Sequence, residues 1–300
     1  MKKFWIRTAS SVVYVALFLG TMFSGILLKN ENAGRLIFLA FLLFVACGCT
    51  FEFYRMAKIK GAKPIEWLGY AMVCLIVAAF AWFPEMSHYA PLFELVVLCA
   101  LVCAFLAMPL AAIIQLWRKT DTPFGDIGYT FIPFLYIALP LGLMSFLQGC
   151  NTYILAVIVA LVWINDACAY MLGSLFGRNK MWVKHSPGKT WEGTISGIVI
   201  ATVAGALIAV LWTSAYGNVE ATWEVWPRAN MEIWQGALLG LVCGAVGTLG
   251  DLVESMLKRA VGLKDSGKIL PGHGGFLDRF DSLLILMPFV VMVIILFVTK

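Results

Sequence analysis

Long apolar runs separated by short polar breaks dominate this chain. Nine runs stand out, at about 8–28, 34–54, 66–83, 91–115, 127–147, 152–175, 192–213, 233–254 and 282–299. Each is close to the roughly 20 mostly apolar residues that cross a bilayer as a helix. Backbone surrounded by lipid must satisfy its own hydrogen bonds, which favours helices over open strands. Turn and breaker residues divide the runs, among them Lys29-Asn30-Glu31-Asn32, Pro84 and residues 120–125. The pattern predicts an all-α polytopic membrane protein of about nine transmembrane helices, with a single membrane domain over 1–300. Lys2, Lys3 and Arg7 before the first run resemble the start of a signal peptide. That run reaches about Leu28 with no clear small-residue cleavage site, so an uncleaved first span is expected.

Composition agrees. The chain is 61% hydrophobic with a mean hydropathy of +0.89, and only 13% of it is Asp, Glu, Lys or Arg. Soluble domains lie near 45–50% apolar. The net charge of +5 sits in loops, so it speaks to topology rather than to nucleic acid. With the N-terminus in the cytoplasm and nine alternating spans, 18 of the 22 Lys and Arg fall on the cytoplasmic side. Lys29, Arg35, Arg228 and Lys300 make up the other side. This bias supports the orientation and an odd number of spans. The eight cysteines lie mostly inside apolar runs and the three histidines are widely separated, which suggests neither a disulfide framework nor a zinc site.

Against this background the charged positions carry the chemistry. Residues 1–150 are read as spans of unclear role, with Glu52 snorkelling from the end of the second run. Residues 151–300 are read as the catalytic half, with cytoplasmic loops at 177–191 and 255–281. Asp166 lies deep in the sixth run, and Asp251 and Glu254 end the eighth. Charge at such depth is costly and marks function by default. Asp251, Glu254, Ser255 and Lys258 share one helical face by their spacing. Asp278 and Asp281 are three apart, so a helix starting at or before them would bring both carboxylates to one face. Such a pair repels itself unless a cation intervenes, and oxygen donors suit Mg²⁺. The alternative is Asp–Arg pairing, for instance with Arg279. In the loop at 177–191, Gly188-Lys189-Thr190 has Val183 where a P-loop needs glycine, so it is not a Walker site. Ser186, Lys189 and Thr190 beside glycine can still cradle phosphate, or the loop can serve only as a topology signal. Glycines 272, 274 and 275 around His273 either admit a ligand close to the backbone or make a tight turn.

The stretch from Ser255 to Asp281 resembles the signature of phosphatidate cytidylyltransferases. It has S-x-x-K-R, then K-D, then H-G-G-x-x-D-R-x-D, filled here by Ser255, Lys258, Arg259, Lys264, Asp265, His273, Gly274, Gly275, Asp278, Arg279 and Asp281. The S-P-G-K-T-W-E-G and D-A-C-A-Y-M-L-G-S-L-F-G runs are similar to two further blocks of that family, and the resemblance covers about Trp163 to the C-terminus. It implies transfer of CMP from CTP to phosphatidic acid at the cytoplasmic face of a bacterial inner membrane, by a multi-pass homodimer. It implies Mg²⁺, with a second cation allowed, held by Asp251, Asp278 and Asp281, with Asp166 a further candidate. Lys258, Arg259, Lys264 and Arg279 would neutralise phosphates, and Ser186, Lys189 and Thr190 would bind part of CTP or the lipid phosphate. Ser255, Asp265, Gly274 and Gly275 join the substrate-binding set, and His273 would orient a phosphate. Two other readings stay open: a CTP-dependent polyprenol-type kinase, and an ion-coupled transporter using Asp166, Asp251 and Glu254.

Overall fold

The computed structural model describes residues 2–81, 90–118, 120–216, 231–267 and 274–298. Its helices are α1 (Lys2–Met22), α2 (Ser24–Leu28), α3 (Glu31–Ile59), α4 (Glu66–Ala81), α5 (Ala90–Arg118) and α6 (Pro123–Cys150). A π-helical turn at Phe134–Ala138 interrupts α6. There follow α7 (Thr152–Phe176), α8 (Trp191–Tyr216), α9 (Ile233–Ala260) and α10 (Leu277–Val298). Among the described residues, α3, α6, α7, α8, α9 and α10 are long and apolar enough to cross a membrane. Val12–Met22, Glu66–Ala81 and Phe105–Arg118 are shorter apolar stretches. Phe105, Leu175, Leu207 and Leu211 are exposed, as lipid-facing side chains would be.

The chain forms two compact units. The first comprises residues 1–149 and 260–280. Lys29 in the left-handed region ends α2, and Asn30 caps α3 by accepting from the Ala33 N–H at 3.1 Å. The loop between α3 and α4 is bolted to α6. The Lys63 N–H donates to Asp126 Oδ1 at 2.6 Å, and the Ile65 N–H donates to Thr130 Oγ1 at 2.8 Å. Tyr54 Oη donates to the Thr130 carbonyl at 3.1 Å. Residues 274–280 are held by aromatic packing. Phe276 lies edge-on to Phe44 at 5.3 Å and covers Gly48, while Phe280 meets Tyr14 and Phe18 at 6.0 Å each.

The second unit comprises residues 150–259 and 281–300. Asn151 caps α7 through the Tyr153 and Ile154 N–H groups at 3.0 and 3.3 Å. Helix α8 carries a small residue at every fourth position: Gly193, Gly197, Ala201, Gly205 and Ala209. Gly193 and Gly197 press on the α7 backbone near Ala169 and Asn165, whereas Gly205 and Ala201 press on Gly236 and Gly240 of α9. Between helices in lipid, association relies on such backbone approach rather than on a hydrophobic drive.

The all-α expectation holds with one addition, an antiparallel hairpin of β1 (Lys180–Trp182) and β2 (Ser186–Thr190). Pro187, Gly188 and the basic residues of this stretch are poor strand formers, so sequence pattern reads it as a loop. Its base is tied by Glu192, whose carboxylate accepts from Asn179 Nδ2 at 2.7 Å and from the Asn179 N–H at 3.1 Å.

A Cβ at Gly205 would overlap the Gly236 carbonyl, so Gly205→Ala is expected to destabilise by about 1–3 kcal/mol. Gly128→Ala, where a Cβ meets nothing, should be neutral or slightly stabilising. Thermal melting of the two detergent-solubilised variants checks the contrast.

Candidate active site

The second unit assembles a carboxylate cluster at the end of α9. Gly250 makes it possible. A Cβ there would sit 2.8 Å from the Asp281 carbonyl and 2.9 Å from Ser282 Cα, so its absence lets α10 close on α9. The next residue, Asp251, and Glu254 one turn on then meet Asp281: one oxygen from each of the three lies within 4.8 Å of the others. Glu254 is fully buried and pairs with Lys258 one turn further along α9. Asp251 Oδ2 pairs with Lys189 Nζ at 2.8 Å, and Ser255 Oγ lies 3.3 Å from Asp251 Oδ1. Lys189 also donates to the Thr248 carbonyl at 3.3 Å. The hairpin therefore delivers its lysine to the carboxylates of α9.

Neighbouring groups complete the surroundings. Asn165 Nδ2 donates to Thr248 Oγ1 and to Asp166 Oδ1, both at 3.1 Å, which places Asp166 of α7 on the same polar network. Arg259 Nε lies 3.4 Å from the His185 carbonyl and ties the hairpin turn to α9. Thr190 is buried, and its Oγ1 accepts from the Gly193 N–H at 3.3 Å, capping α8. Ser186 is half-buried at the start of β2, opposite Trp182.

Three oxygen donors suit a hard divalent cation such as Mg²⁺ better than zinc, which prefers nitrogen and sulfur. Two of the three carboxylates face an ammonium group, which leaves one carboxylate in excess among the described residues. The residues thus fit a divalent ion, with lysines placed to turn towards other anions.

The other half of the charged stretch belongs to the first unit. Asp278 Oδ2 accepts from the Ser266 N–H at 2.9 Å and from the Gly275 N–H at 2.7 Å, and lies 2.9 Å from Ser266 Oγ. Gly274 has a φ of +80°, and a Cβ there would lie 2.5 Å from Asp278 Oδ2. Lys264 and Asp265 are exposed, and Arg279 is half-buried. Expectations for His273 and for Gly272 fall outside the described residues.

Similarity to known proteins points the same way. The profile of the cytidylyltransferase family matches residues 5–297. The chain belongs to the cytidylyltransferase family. A protein of Bacillus subtilis named phosphatidate cytidylyltransferase is 30% identical over 267 residues, covering 88% of this chain and 91% of that protein. Proteins of the same name from Staphylococcus epidermidis and Staphylococcus aureus are 30% and 31% identical, each covering 94% of this chain and 96% of theirs. The family match therefore extends through the first 150 residues, well beyond the stretch from about Trp163 that motif resemblance alone picked out.

Within this family member, the carboxylate cluster contains Asp251 and Asp281 of the expected set, with Glu254 as the third. Asp278 is not in that cluster. Sequence placed Glu254 on the right face without a ligand role. Glu52 corrects the sequence reading more sharply. It does not snorkel: it is fully buried, and its carboxylate accepts from the N–H groups of Phe276 and Leu277 at 3.0 Å each and from Ser266 Oγ at 2.8 Å. A glutamate inside an apolar run was the signal available; its partners lie more than two hundred residues away.

Removing one partner of a buried ion pair strands the other. Lys258→Met is expected to destabilise by about 3–5 kcal/mol, and Glu254→Gln with Lys258→Met to recover most of that. Melting temperatures of the solubilised single and double variants check this.

Proposed function

We propose that this chain transfers the CMP group of CTP to phosphatidate, giving CDP-diacylglycerol and pyrophosphate. The observation that carries the reading is the meeting of Asp251, Glu254 and Asp281 with Lys189 of the hairpin. A phosphate oxygen of phosphatidate attacks the α-phosphorus of CTP. The bond from that phosphorus to the oxygen bridging to the β-phosphorus breaks, and pyrophosphate leaves with the electron pair. The attacking monoester has a second pKa of about 6 and is ionised near neutrality. Little general-base work is needed, so positioning and charge neutralisation dominate.

Mg²⁺, held by Asp251, Glu254 and Asp281, would neutralise the phosphates as charge moves to the leaving group. The signature that sets Asp278 three residues before Asp281 supports counting Asp278 in the reaction site. Asp166, hydrogen-bonded to Asn165, is a candidate for holding a second cation. Lys189 is placed to exchange Asp251 for a phosphate oxygen, since an ammonium on a flexible stem re-aims readily. Lys258, Arg259, Lys264 and Arg279 supply further positive charge, and Ser255, Asp265, Gly274 and Gly275 line the substrate site. Ser186 faces part of the nucleotide or lipid phosphate. Thr190 acts by holding the hairpin on α8, and His273 orients a phosphate.

The six long apolar helices and the three shorter ones together support nine spans. The Lys and Arg bias supports a cytoplasmic N-terminus, with the hairpin and the loop after α9 facing the cytoplasm, where CTP is found. A bacterial inner membrane and a homodimer complete the reading.

Purified protein given phosphatidate, Mg²⁺ and CTP labelled at the α-phosphate should transfer label to lipid and release pyrophosphate. Release of CDP with transfer of a γ-label would identify a lipid kinase instead. Asp251→Asn and Asp281→Asn should each lower kcat at least about 100-fold without loss of folded protein. Wild-type turnover in either removes that residue from the site. Chelation by EDTA should stop turnover and added Mg²⁺ restore it.

A further inference from the structure

Glu52 is a fully buried carboxylate near the end of the apolar part of α3, and such a charge survives burial only with full hydrogen bonding. It has that. Oε1 accepts from the Phe276 N–H, and Oε2 accepts from the Leu277 N–H and faces Ser266 Oγ. The two N–H groups open α10, whose first turn has no intrahelical acceptor for them, and a negative charge there also suits the helix dipole. The glycines around it make room for the carboxylate. A Cβ at Gly267 would overlap Glu52 Oε1, and one at Gly275 would overlap both carboxylate oxygens. Ser266 is the shared element. Its Oγ is 2.8 Å from Glu52 Oε2 and 2.9 Å from Asp278 Oδ2, and its N–H donates to Asp278 as well.

We infer that Glu52 is a positioning residue for cytidylyl transfer: it fixes the start of α10 and, through Ser266, the place of the Asp278 carboxylate. This rests on the reading of Asp278 as part of the reaction site. Glu52 is fully buried and bonded to protein groups, so its role is to place others. Its effect is to remove freedom from the turn of Gly274, Gly275 and Asp278, adding fixed hydrogen bonds to the packing that Phe276 supplies. The family signature therefore has a structural partner on α3, in the half of the chain that motif reading left without a role.

The test uses the full-length protein in nanodiscs, with Glu52→Gln, Ser266→Ala and Asp278→Asn. Glu52→Gln keeps the side chain's shape but puts a donor where an acceptor is needed. It should lose hydrogen-exchange protection in the peptide containing Phe276 and Leu277, with protection in α7 and α8 unchanged. Its kcat should fall and its half-saturating Mg²⁺ concentration rise, each by about 10-fold or more. A folded Glu52→Gln protein with wild-type protection, kcat and Mg²⁺ dependence overturns the inference. So does a kcat that falls only in proportion to folded protein. If Glu52→Gln does not fold, Ser266→Ala decides. It should shift the Mg²⁺ dependence while Phe276 and Leu277 stay protected, and a wild-type Mg²⁺ dependence overturns the inference. Wild-type turnover by Asp278→Asn removes Asp278 from the site and the inference with it. An inactive Asp278→Asn beside wild-type Glu52→Gln and Ser266→Ala sinks the role of Glu52 alone.

Discussion

The contact on which the site depends is the approach of α10 to α9 at Gly250. A side chain at this position has no space, because the Asp281 carbonyl and Ser282 occupy it. With a glycine, the two backbones come close enough for carboxylates from separate helices to share one small volume. The identity of the ligands follows from the helical repeat: Asp251 and Glu254 are one turn apart on α9, and Asp281 is the fifth residue of α10. The small-residue stripe on α8 extends the same logic, since it lets α7 and α9 approach the helix that follows the hairpin.

Burying acids in a protein that is 61% hydrophobic requires partners, and the two units supply different kinds. In the second unit the partners are ammonium groups, Lys189 for Asp251 and Lys258 for Glu254. These sit on flexible stems and can re-aim, as the proposed exchange of Asp251 for a phosphate requires of Lys189. In the first unit the partners are backbone N–H groups and a serine hydroxyl, gathered on Glu52 and Asp278. Backbone donors cannot swing away. One set is suited to an exchange of ligands and the other to holding geometry.

Much of this was legible in the sequence. Helices follow from hydropathy, because lipid imposes length and helicity together: the described part of each apolar run is helical, the first being broken at Phe23 between α1 and α2. Asp251 and Asp281 stand out because charge is rare here, and helical spacing put Glu254 on the same face. The Lys189 to Asp251 pair was not legible: each residue was a candidate, but the hairpin that joins them is built from poor strand formers. Glu52 was misread for a related reason. Its partners, Ser266, Phe276 and Leu277, come from the far end of the chain, and periodicity is blind to contacts between distant segments. The role of Gly250 is likewise a property of two helices together, invisible in either.

The proposed mechanism requires a divalent ion between α9 and α10. Anomalous diffraction from crystals of the active protein loaded with Mn²⁺ locates it directly. A peak is expected in direct coordination with carboxylate oxygens of Asp251 and Asp281. A peak elsewhere, or none in crystals that still turn over CTP and phosphatidate, would contradict that mechanism.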